Sequence, residues 1–171
     1  MKLKKYLFKS VTSTNDIAIK KIKQGKTSGV IIAKKQTKGR GRYGNKWIYL
    51  RNNLFMSVFF ILKLNLTLSK LTLNSCKIVK KSLQKFLNKK ITIKKPNDLL
   101  IDKRKVCGIL QETLVFKNNK FVIIGIGINV NGSPIIKNYP TTYLNNFTKK
   151  KITSFKIYNE IKNNFETYLN K

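Results

Sequence analysis

The residues best suited to chemistry lie in the stretch KGRGRYGNKW, residues 38–47, where three glycines are spaced as Gly-x-Gly-x-x-Gly. Two of the four arginines in the chain, Arg40 and Arg42, stand between these glycines. A guanidinium group is planar and pairs with phosphate or carboxylate through two hydrogen bonds. The stretch therefore indicates a flexible loop that binds an anionic ligand.

Two familiar meanings of this glycine spacing do not fit the surrounding sequence. A dinucleotide-binding loop opens a helix and has an acidic residue about 20 positions later, whereas strand-like residues follow Gly44 and positions 59–61 are Phe, Phe and Ile. A protein kinase loop does lie between strands, but a kinase needs a longer chain with its own catalytic loop. A plain hairpin loop, with arginines for solubility, stays open as an alternative at this point.

The composition restricts the available catalytic groups. The chain of 171 residues has no histidine and only two cysteines, Cys76 and Cys107, which are too far apart for a Cys-x-x-Cys motif. Ser-His-Asp and Cys-His catalysis are therefore excluded, and a transition-metal site is not expected. Lysine, arginine, carboxylates, amides and the bound substrate are left to do the chemistry.

The formal net charge of +31 admits two explanations. A basic surface attracts phosphate and releases counterions, so a nucleic-acid-binding module is one hypothesis. However, the lysines are spread along almost every segment, and Asn and Ile are abundant as well, as an AT-rich coding sequence would produce. We favour compositional drift and expect no specific DNA partner.

The hydrophobic patterns predict a single α+β domain with a mixed, mostly antiparallel β-sheet flanked by helices. In the first predicted helix, Ser13 begins a capping box with Asp16, and Gly25 follows the last turn. Helices are predicted over residues 13–24, 68–87 and 153–169, and strands over 28–37, 53–62, 91–95, 98–102, 105–116 and 120–130.

No run of the sequence approaches the roughly 18 apolar residues of a membrane span. The N-terminus also lacks the apolar segment and small-residue cleavage site of a signal peptide. We therefore expect a cytoplasmic protein without a membrane partner.

Three further segments carry residues that suit a site. Lys94 ends a short strand before Pro96, and side-chain alternation predicts that Lys94 and Lys95 point to opposite faces of the sheet. Gly108 interrupts a strand, as do the glycines before Asn129, which marks a bulge or the close approach of a ligand or another backbone. Taken singly, each segment also has a purely structural explanation.

In order along the chain, five segments resemble the motif set of the biotin–protein ligase catalytic domain. Each is weak alone, but their order and separations are specific, and the resemblance extends from Thr12 to the last predicted helix. The segments are Ser13-Thr14-Asn15, QTKGRGRYGNKW, KKPNDLL, KVCGILQE and GIGINVN.

The resemblance implies a fold related to the class II aminoacyl-tRNA synthetases and a reaction in two steps. Biotin and ATP, with Mg²⁺, give biotinyl-5′-AMP and pyrophosphate. Biotin is then transferred to a lysine of a biotin carboxyl carrier protein, such as that of acetyl-CoA carboxylase. The implied ligands are thus ATP, Mg²⁺ and biotin, the implied partner is the carrier domain, and a homodimer is left open.

The resemblance also implies roles for individual residues. The positions that contact biotin are Ser13, Thr14, Asn15 and Gln36, and the loop that closes over biotin and adenylate contains Gly39, Arg40, Gly41 and Arg42. Lys94 matches the catalytic lysine, with Arg40 and Arg42 as further catalytic cations. Trp47 matches the aromatic residue beside the adenylate, Gly108 a substrate-binding position, and Asn129 a position near ATP and the metal.

The sequence departs from the family pattern in two ways. Lys95 stands where the family usually has tryptophan, which affects the packing beside Lys94. We also expect residues 1–171 to form one catalytic domain without the N-terminal winged helix or the C-terminal SH3-like domain of other members. A lipoate–protein ligase or an octanoyltransferase would share the fold, but those families lack an Arg-Gly-Arg loop that runs into Lys-Trp.

Overall fold

The structure is a computed structural model, and it describes residues 1–62 and 67–170. Three α-helices and seven β-strands follow one another as β1, α1, β2, β3, α2, β4, β5, β6, β7 and α3. The strands are β1 Lys5–Phe8, β2 Ser28–Ala33, β3 Leu54–Ile61, β4 Ile91–Lys94, β5 Asp98–Ile101, β6 Arg104–Phe116 and β7 Asn119–Ile128, and the helices are α1 Thr14–Lys23, α2 Leu68–Gln84 and α3 Ser154–Leu169.

All seven strands form one mixed sheet in the order β1-β2-β3-β7-β6-β5-β4. β1 pairs with β2 in parallel, and every other neighbouring pair is antiparallel. β4 to β7 form consecutive hairpins, because the turns between them are too short for a crossover. The predicted class, a mostly antiparallel mixed sheet flanked by helices, is confirmed.

The sheet is covered on both faces, which explains why β3 is apolar almost throughout. Seven of its eight residues are buried. Val58 and Phe60 face the larger core, where α2 and α3 pack, whereas Phe59 faces a smaller core under α1. Buried residues such as Leu83 of α2 recur three or four apart, as expected for helices that cover a sheet with one side.

The first helix begins as predicted but without the predicted capping box. Ser13 is the N-cap residue, and its hydroxyl accepts a hydrogen bond from the backbone of Asn15 at 3.2 Å. The carboxylate of Asp16 does not return to the cap, because it accepts a hydrogen bond from Thr12 and pairs with Arg40. The predicted N-cap at Ser13 is thus confirmed. The predicted hydrogen bond from the Ser13 backbone to Asp16 is replaced by the ion pair of Asp16 with Arg40 in the glycine loop.

The sequence patterns did not predict one strand, and they extended several predicted strands beyond their observed C-terminal ends. β1 was not predicted, because KYLF is short and alternates exposed with half-buried residues at the sheet edge. The first and third predicted strands end earlier than predicted, at Ala33 and Lys94, where pairing with the neighbouring strand stops. Within the two described ranges, no helix is long and apolar enough to cross a membrane.

The chain start is fastened to α3 by a carboxylate. Glu166 accepts hydrogen bonds from the backbone of Leu3 and from Lys162, each at 2.6 Å. Burial raises the pKa of Glu166, but the hydrogen bonds from Lys162 and Leu3 outweigh it and hold the pKa below the ordinary value of 4.5. The ionised form is therefore the one that stabilises the fold.

We predict that Glu166→Gln lowers the free energy of unfolding by about 1–2 kcal/mol at pH 7. A lowered carboxyl pKa contributes stability that is complete above pH 4.5 and is lost as the pH falls through the pKa of the folded state. The gap between wild type and variant should therefore close in acid, as measured by urea unfolding from pH 7 to pH 3. A gap that stays constant over this range would contradict the assignment.

Candidate functional site

The candidate site is a cavity of about 700 Å³ on the sheet face that carries α1. Along β7, alternate residues point to this face. The first of them are large apolar residues, and the later ones are glycines, which have no side chain. Phe121 and Ile123 pack under α1, whereas Gly125 and Gly127 line the cavity. Gly108 of β6 lies opposite Gly127 in the register. Missing side chains on two adjacent strands thus leave the space that the cavity occupies.

The indole of Trp47 lies directly on this bare part of the sheet. A β-carbon at Gly127 would be 2.3 Å from Trp47 Cε2, and one at Gly108 would be 2.8 Å from Trp47 Cζ3. Both distances are far shorter than van der Waals contact, so only glycine permits this packing. The pairing of Gly108 with Gly127 is continuous, without a bulge. Of the two explanations for strand glycines, close approach is therefore the correct one.

A chain of buried hydrogen bonds forms the end of the cavity beside α1. Gln36 Oε1 accepts from the backbone and the hydroxyl of Thr14, at 2.7 and 3.0 Å. The hydroxyl of Ser57 donates toward Thr14 Oγ1 at 2.7 Å and Asn15 Oδ1 at 2.5 Å. All four residues are at most 8% exposed. The arrangement presents small polar groups in fixed positions inside an apolar pocket.

The glycine loop lies across the mouth of the cavity, and its two arginines are held differently. Arg40 pairs with Asp16 at 2.5 Å and with Glu112 at 3.0 Å. Burial lowers the pKa of Arg40, but the Asp16 hydrogen bond and the Glu112 charge outweigh it and leave the pKa raised. Among the described residues Arg42 has no carboxylate partner, and it donates to Asn97 Oδ1 at 3.4 Å and to the Tyr43 hydroxyl at 2.8 Å. Arg42 therefore retains its charge for a ligand.

A second group of cations lines the cavity around Asp98. Lys105 of β6 pairs with Asp98 at 2.9 Å, and its Nζ lies 5.5 Å from the ring centroid of Trp47. Tyr139 donates its hydroxyl hydrogen to Asp98 at 2.6 Å, and Lys94 Nζ lies 4.5 Å from the Tyr139 ring. Burial and the Asp98 hydrogen bond raise the pKa of Tyr139, so the phenol stays protonated. Asp98 and Tyr139 thus position Lys105 and Lys94 at the same cavity.

Comparison with known proteins agrees with this geometry. Residues 7–129 match the biotin/lipoate A/B protein ligase family. The chain belongs to that family. Over 110 residues, 61% of this chain, it is 39% identical to the bifunctional ligase/repressor BirA of Bacillus subtilis. Over 124 residues, 70% of this chain, it is 35% identical to BirA of Escherichia coli. The matched segments span 33% and 38% of the lengths of those two proteins.

Solved structures of family members superimpose on nearly the whole chain. The biotin protein ligase of Aquifex aeolicus in complex with biotin and ATP gives a TM-score of 0.82 at 29% identity, covering 98% of this chain and 71% of that chain. The Leishmania major enzyme in complex with biotin gives 0.81 at 26% identity, covering 92% and 71%. These similarities confirm the predicted class II synthetase-like fold of the biotin ligases.

The family fold brings the predicted site residues together around one cavity. Of the twelve, only Gly39 does not line it; this residue is buried at the base of the loop, and its carbonyl oxygen accepts a hydrogen bond from the backbone of Trp47. The eleven that line the cavity are Ser13, Thr14, Asn15, Gln36, Arg40, Gly41, Arg42, Trp47, Lys94, Gly108 and Asn129. Their individual roles stay predictions.

The expectation that Lys94 and Lys95 face opposite sides is wrong. β4 ends at Lys94, so the alternation of a strand no longer governs Lys95, which lies in the following turn. Both side chains are exposed, and both residues line the cavity. Lys95 therefore adds a cation at the mouth.

The sequence patterns did not predict several residues that belong to this site. Only some of them differ from their sequence surroundings enough to have been recognised. Ser57 is a lone polar residue in the apolar run LFMSVFFI, and Glu112 is one of six acidic residues in a basic chain. Both are exceptions to their surroundings and could have been singled out. Lys105 and Tyr139 could not, because lysine occurs throughout and Tyr139 lies in an irregular segment.

The remaining nucleophiles and metal ligands do not extend the site. Burial raises the pKa of Cys76 to about 11 and that of Cys107 well above its usual value, so neither thiol ionises near neutral pH. In the part of the chain that the structure describes, no three His, Cys, Asp or Glu residues cluster as metal ligands. The chemistry available is that of fixed cations and polar groups.

We predict that Gly127→Ala displaces the indole of Trp47 and lowers stability by about 1–3 kcal/mol, because the added methyl overlaps the ring. Trp47 is the one tryptophan in the sequence, so a shift in its emission reports the displacement directly. Gly132→Ala is the matched control, since its β-carbon would contact Leu50 Cδ1 at an ordinary 3.7 Å. Unchanged emission and stability in Gly127→Ala would refute the packing role of the glycine.

Proposed function

We propose that this chain is the catalytic part of an ATP-dependent biotin–protein ligase. The observation that carries the proposal is that one cavity joins a buried polar end, an aromatic platform and a group of cations. The resemblance to biotin protein ligases that hold biotin and ATP supports the same conclusion. Residues 1–171 would then form a single catalytic domain.

The buried polar end suits the ureido ring of biotin. That ring has two N–H donors and one carbonyl acceptor, and the pocket offers hydroxyl and amide groups from Ser13, Thr14, Asn15 and Gln36. Hydrogen bonds to one another or to Ser57 hold Thr14, Asn15 and Gln36, and Ser13 accepts from the backbone of Asn15, so their positions are fixed before a ligand arrives. Fixed positions reduce the entropy lost on binding.

The cationic end suits the triphosphate of ATP. In the first step, a carboxylate oxygen of biotin attacks the α-phosphorus and pyrophosphate leaves with the electron pair of the broken P–O bond. The reactants repel each other, and negative charge develops on the phosphoryl oxygens. Arg42, Lys94 and Lys105 would stabilise that charge, and Trp47 would support the adenine or the adenylate. No enzyme nucleophile is needed.

Mg²⁺ would be bound mainly by the phosphates of ATP rather than by a protein cage. The described residues offer no cluster of carboxylates, and Asp98 is already engaged by Lys105 and Tyr139. The amide oxygen of Asn129 accepts only a long hydrogen bond among the described residues, from Asn53 at 3.5 Å. This oxygen could therefore act as one ligand of the Mg²⁺ ion. When bound, the ion neutralises part of the triphosphate charge.

In the second step, the amine of an acceptor lysine attacks the acyl carbon and AMP leaves. The acceptor would enter through the mouth of the cavity, whose lining includes Lys95 and the exposed apolar side chains of Tyr43 and Ile136. We propose a biotin carboxyl carrier domain as the partner. The family also contains lipoate ligases, so the choice of acid is part of the test.

We predict that purified protein releases pyrophosphate when biotin and Mg-ATP are both present, and that lipoate does not replace biotin. Lys105→Ala, Lys94→Ala and Arg42→Ala should each reduce the rate about 100–1000-fold, because each removes a preorganised cation. Pyrophosphate release and labelling of a carrier domain are the measurements. Trp47 emission monitors ligand binding in each variant.

Lys77→Ala is the matched control, because this exposed lysine of α2 does not line the cavity. Its rate should equal that of the wild type. A folded preparation that releases no pyrophosphate with biotin would contradict the proposal, and release with lipoate alone would move the chain to the lipoate branch of the family.

A further inference from the structure

Both terminal nitrogens of Arg40 donate to carboxylates, whereas those of Arg42 donate to Asn97 and Tyr43. One terminal nitrogen of Arg40 donates to Asp16 at 2.5 Å, and the other donates to both oxygens of Glu112 at 3.0 and 3.1 Å. We infer that Asp16 and Glu112 are positioning residues that fasten the glycine loop through Arg40. We call these three residues the Arg40 clamp.

The clamp connects three elements that are distant in sequence. Arg40 lies in the loop, Asp16 in the first turn of α1 and Glu112 in β6. The start of the loop is also held by a backbone hydrogen bond from Lys38 to Thr12, and its end by the packing of Trp47 on the sheet. Between these points the loop is closed by its own short turns, in which Gly41 donates to Asn45 and Trp47 donates to Gly39. Two carboxylates on separate rigid elements therefore fasten the loop at Arg40, between its two anchored ends.

Glu112 also connects the clamp to the buried polar end of the cavity. Its Oε2 accepts a hydrogen bond from Asn15 Nδ2 at 2.6 Å, and Asn15 Oδ1 accepts from Ser57 at 2.5 Å. The same carboxylate thus holds the loop and orients an amide inside the pocket. A change at Glu112 is expected to affect both, whereas a change at Asp16 should affect the loop and the Thr12 hydrogen bond but not the amide inside the pocket.

Carboxylates are scarce in this chain, so the pairing of two of them with Arg40 is notable. The chain has 37 lysines and arginines and six aspartates and glutamates, so most cations have no acidic partner. Two of those six carboxylates nevertheless meet on Arg40. Their negative charge also offsets that of Arg40, whereas Arg42 forms no such pair in the described part of the chain and keeps its charge for an anion.

The consequence for the reaction rests on the proposed function. A mixed anhydride such as biotinyl-5′-AMP hydrolyses if water enters or if it escapes before transfer, so a fastened loop would retain it. Weakening the clamp should therefore increase escape of the adenylate more than it slows its formation. This separates a fastening role from direct contact with the phosphate.

The test is hydrogen exchange of the loop amides in the protein without ligands, which does not depend on activity. Because a partly exposed ion pair changes an opening equilibrium by up to about fivefold, Asp16→Asn should speed exchange of residues 38–47 by that factor, and Asp16→Asn with Glu112→Gln by about tenfold or more. Asp102→Asn is the matched control, since it removes an exposed pair with Lys89 away from the loop.

Substitution of Arg40 further separates fastening of the loop from direct contact with the phosphate. Arg40→Gln should speed exchange as much as the double variant, and Arg40→Lys should be intermediate, because a lysine can keep one ion pair. With biotin and Mg-ATP, the fraction of adenylate released to solution should rise in the same order. Ligand-free exchange that stays at the wild-type rate in folded Arg40→Gln and Asp16→Asn would overturn the inference. Faster exchange without any adenylate in the wild type would refute the proposed function and leave the clamp standing.

Discussion

The contact between an indole ring and a sheet surface without side chains is the constraint on which the rest of the site depends. Trp47 can lie on β6 and β7 only because glycine occupies both Gly108 and Gly127, which face each other in the register. The ring then forms one wall of the cavity and ends the glycine loop at a fixed place. The Nζ of Lys105 lies 5.5 Å from the ring centroid, and Arg40 and Arg42 belong to the same loop and line the same cavity.

Scarce negative charge organises the abundant positive charge. A basic chain of this composition experiences repulsion between its cations, and most lysines are solvated on the surface. Around the cavity, however, Asp16, Asp98 and Glu112 each hold a particular cation. The pairs are partly exposed and contribute little to stability individually. Their effect is geometric, because they decide which cations face inward and in which direction.

The fold could be predicted from the sequence wherever the pattern of burial was simple. β3 is apolar because both faces are covered, and α2 and α3 bury one side each, so their periodicity was readable. β1 was missed since an edge strand with alternating exposure has little apolar character. The reciprocal capping box failed for a different reason: Asp16 has a long-range partner, Arg40, that local sequence does not reveal.

The candidate site was predictable only in part. Motif order identified residues that do converge on the cavity, such as Gln36 and Asn129, although their spacing in sequence says nothing about their separation in space. Lys105 carried no signal of its own in a chain with lysine in almost every segment. Its selection depends on the ion pair with Asp98, which exists only once β5 and β6 are paired.

The parallel pairing of β1 with β2 affects the electrostatics of the binding end. A parallel pair requires a crossover, and α1 provides it, so the helix starts at the same edge of the sheet where β1 ends. The positive end of the helix dipole consequently lies at Thr14 and Asn15, beside the cavity. A carbonyl or carboxylate oxygen placed there experiences a favourable field from the backbone itself, independent of any lysine or arginine.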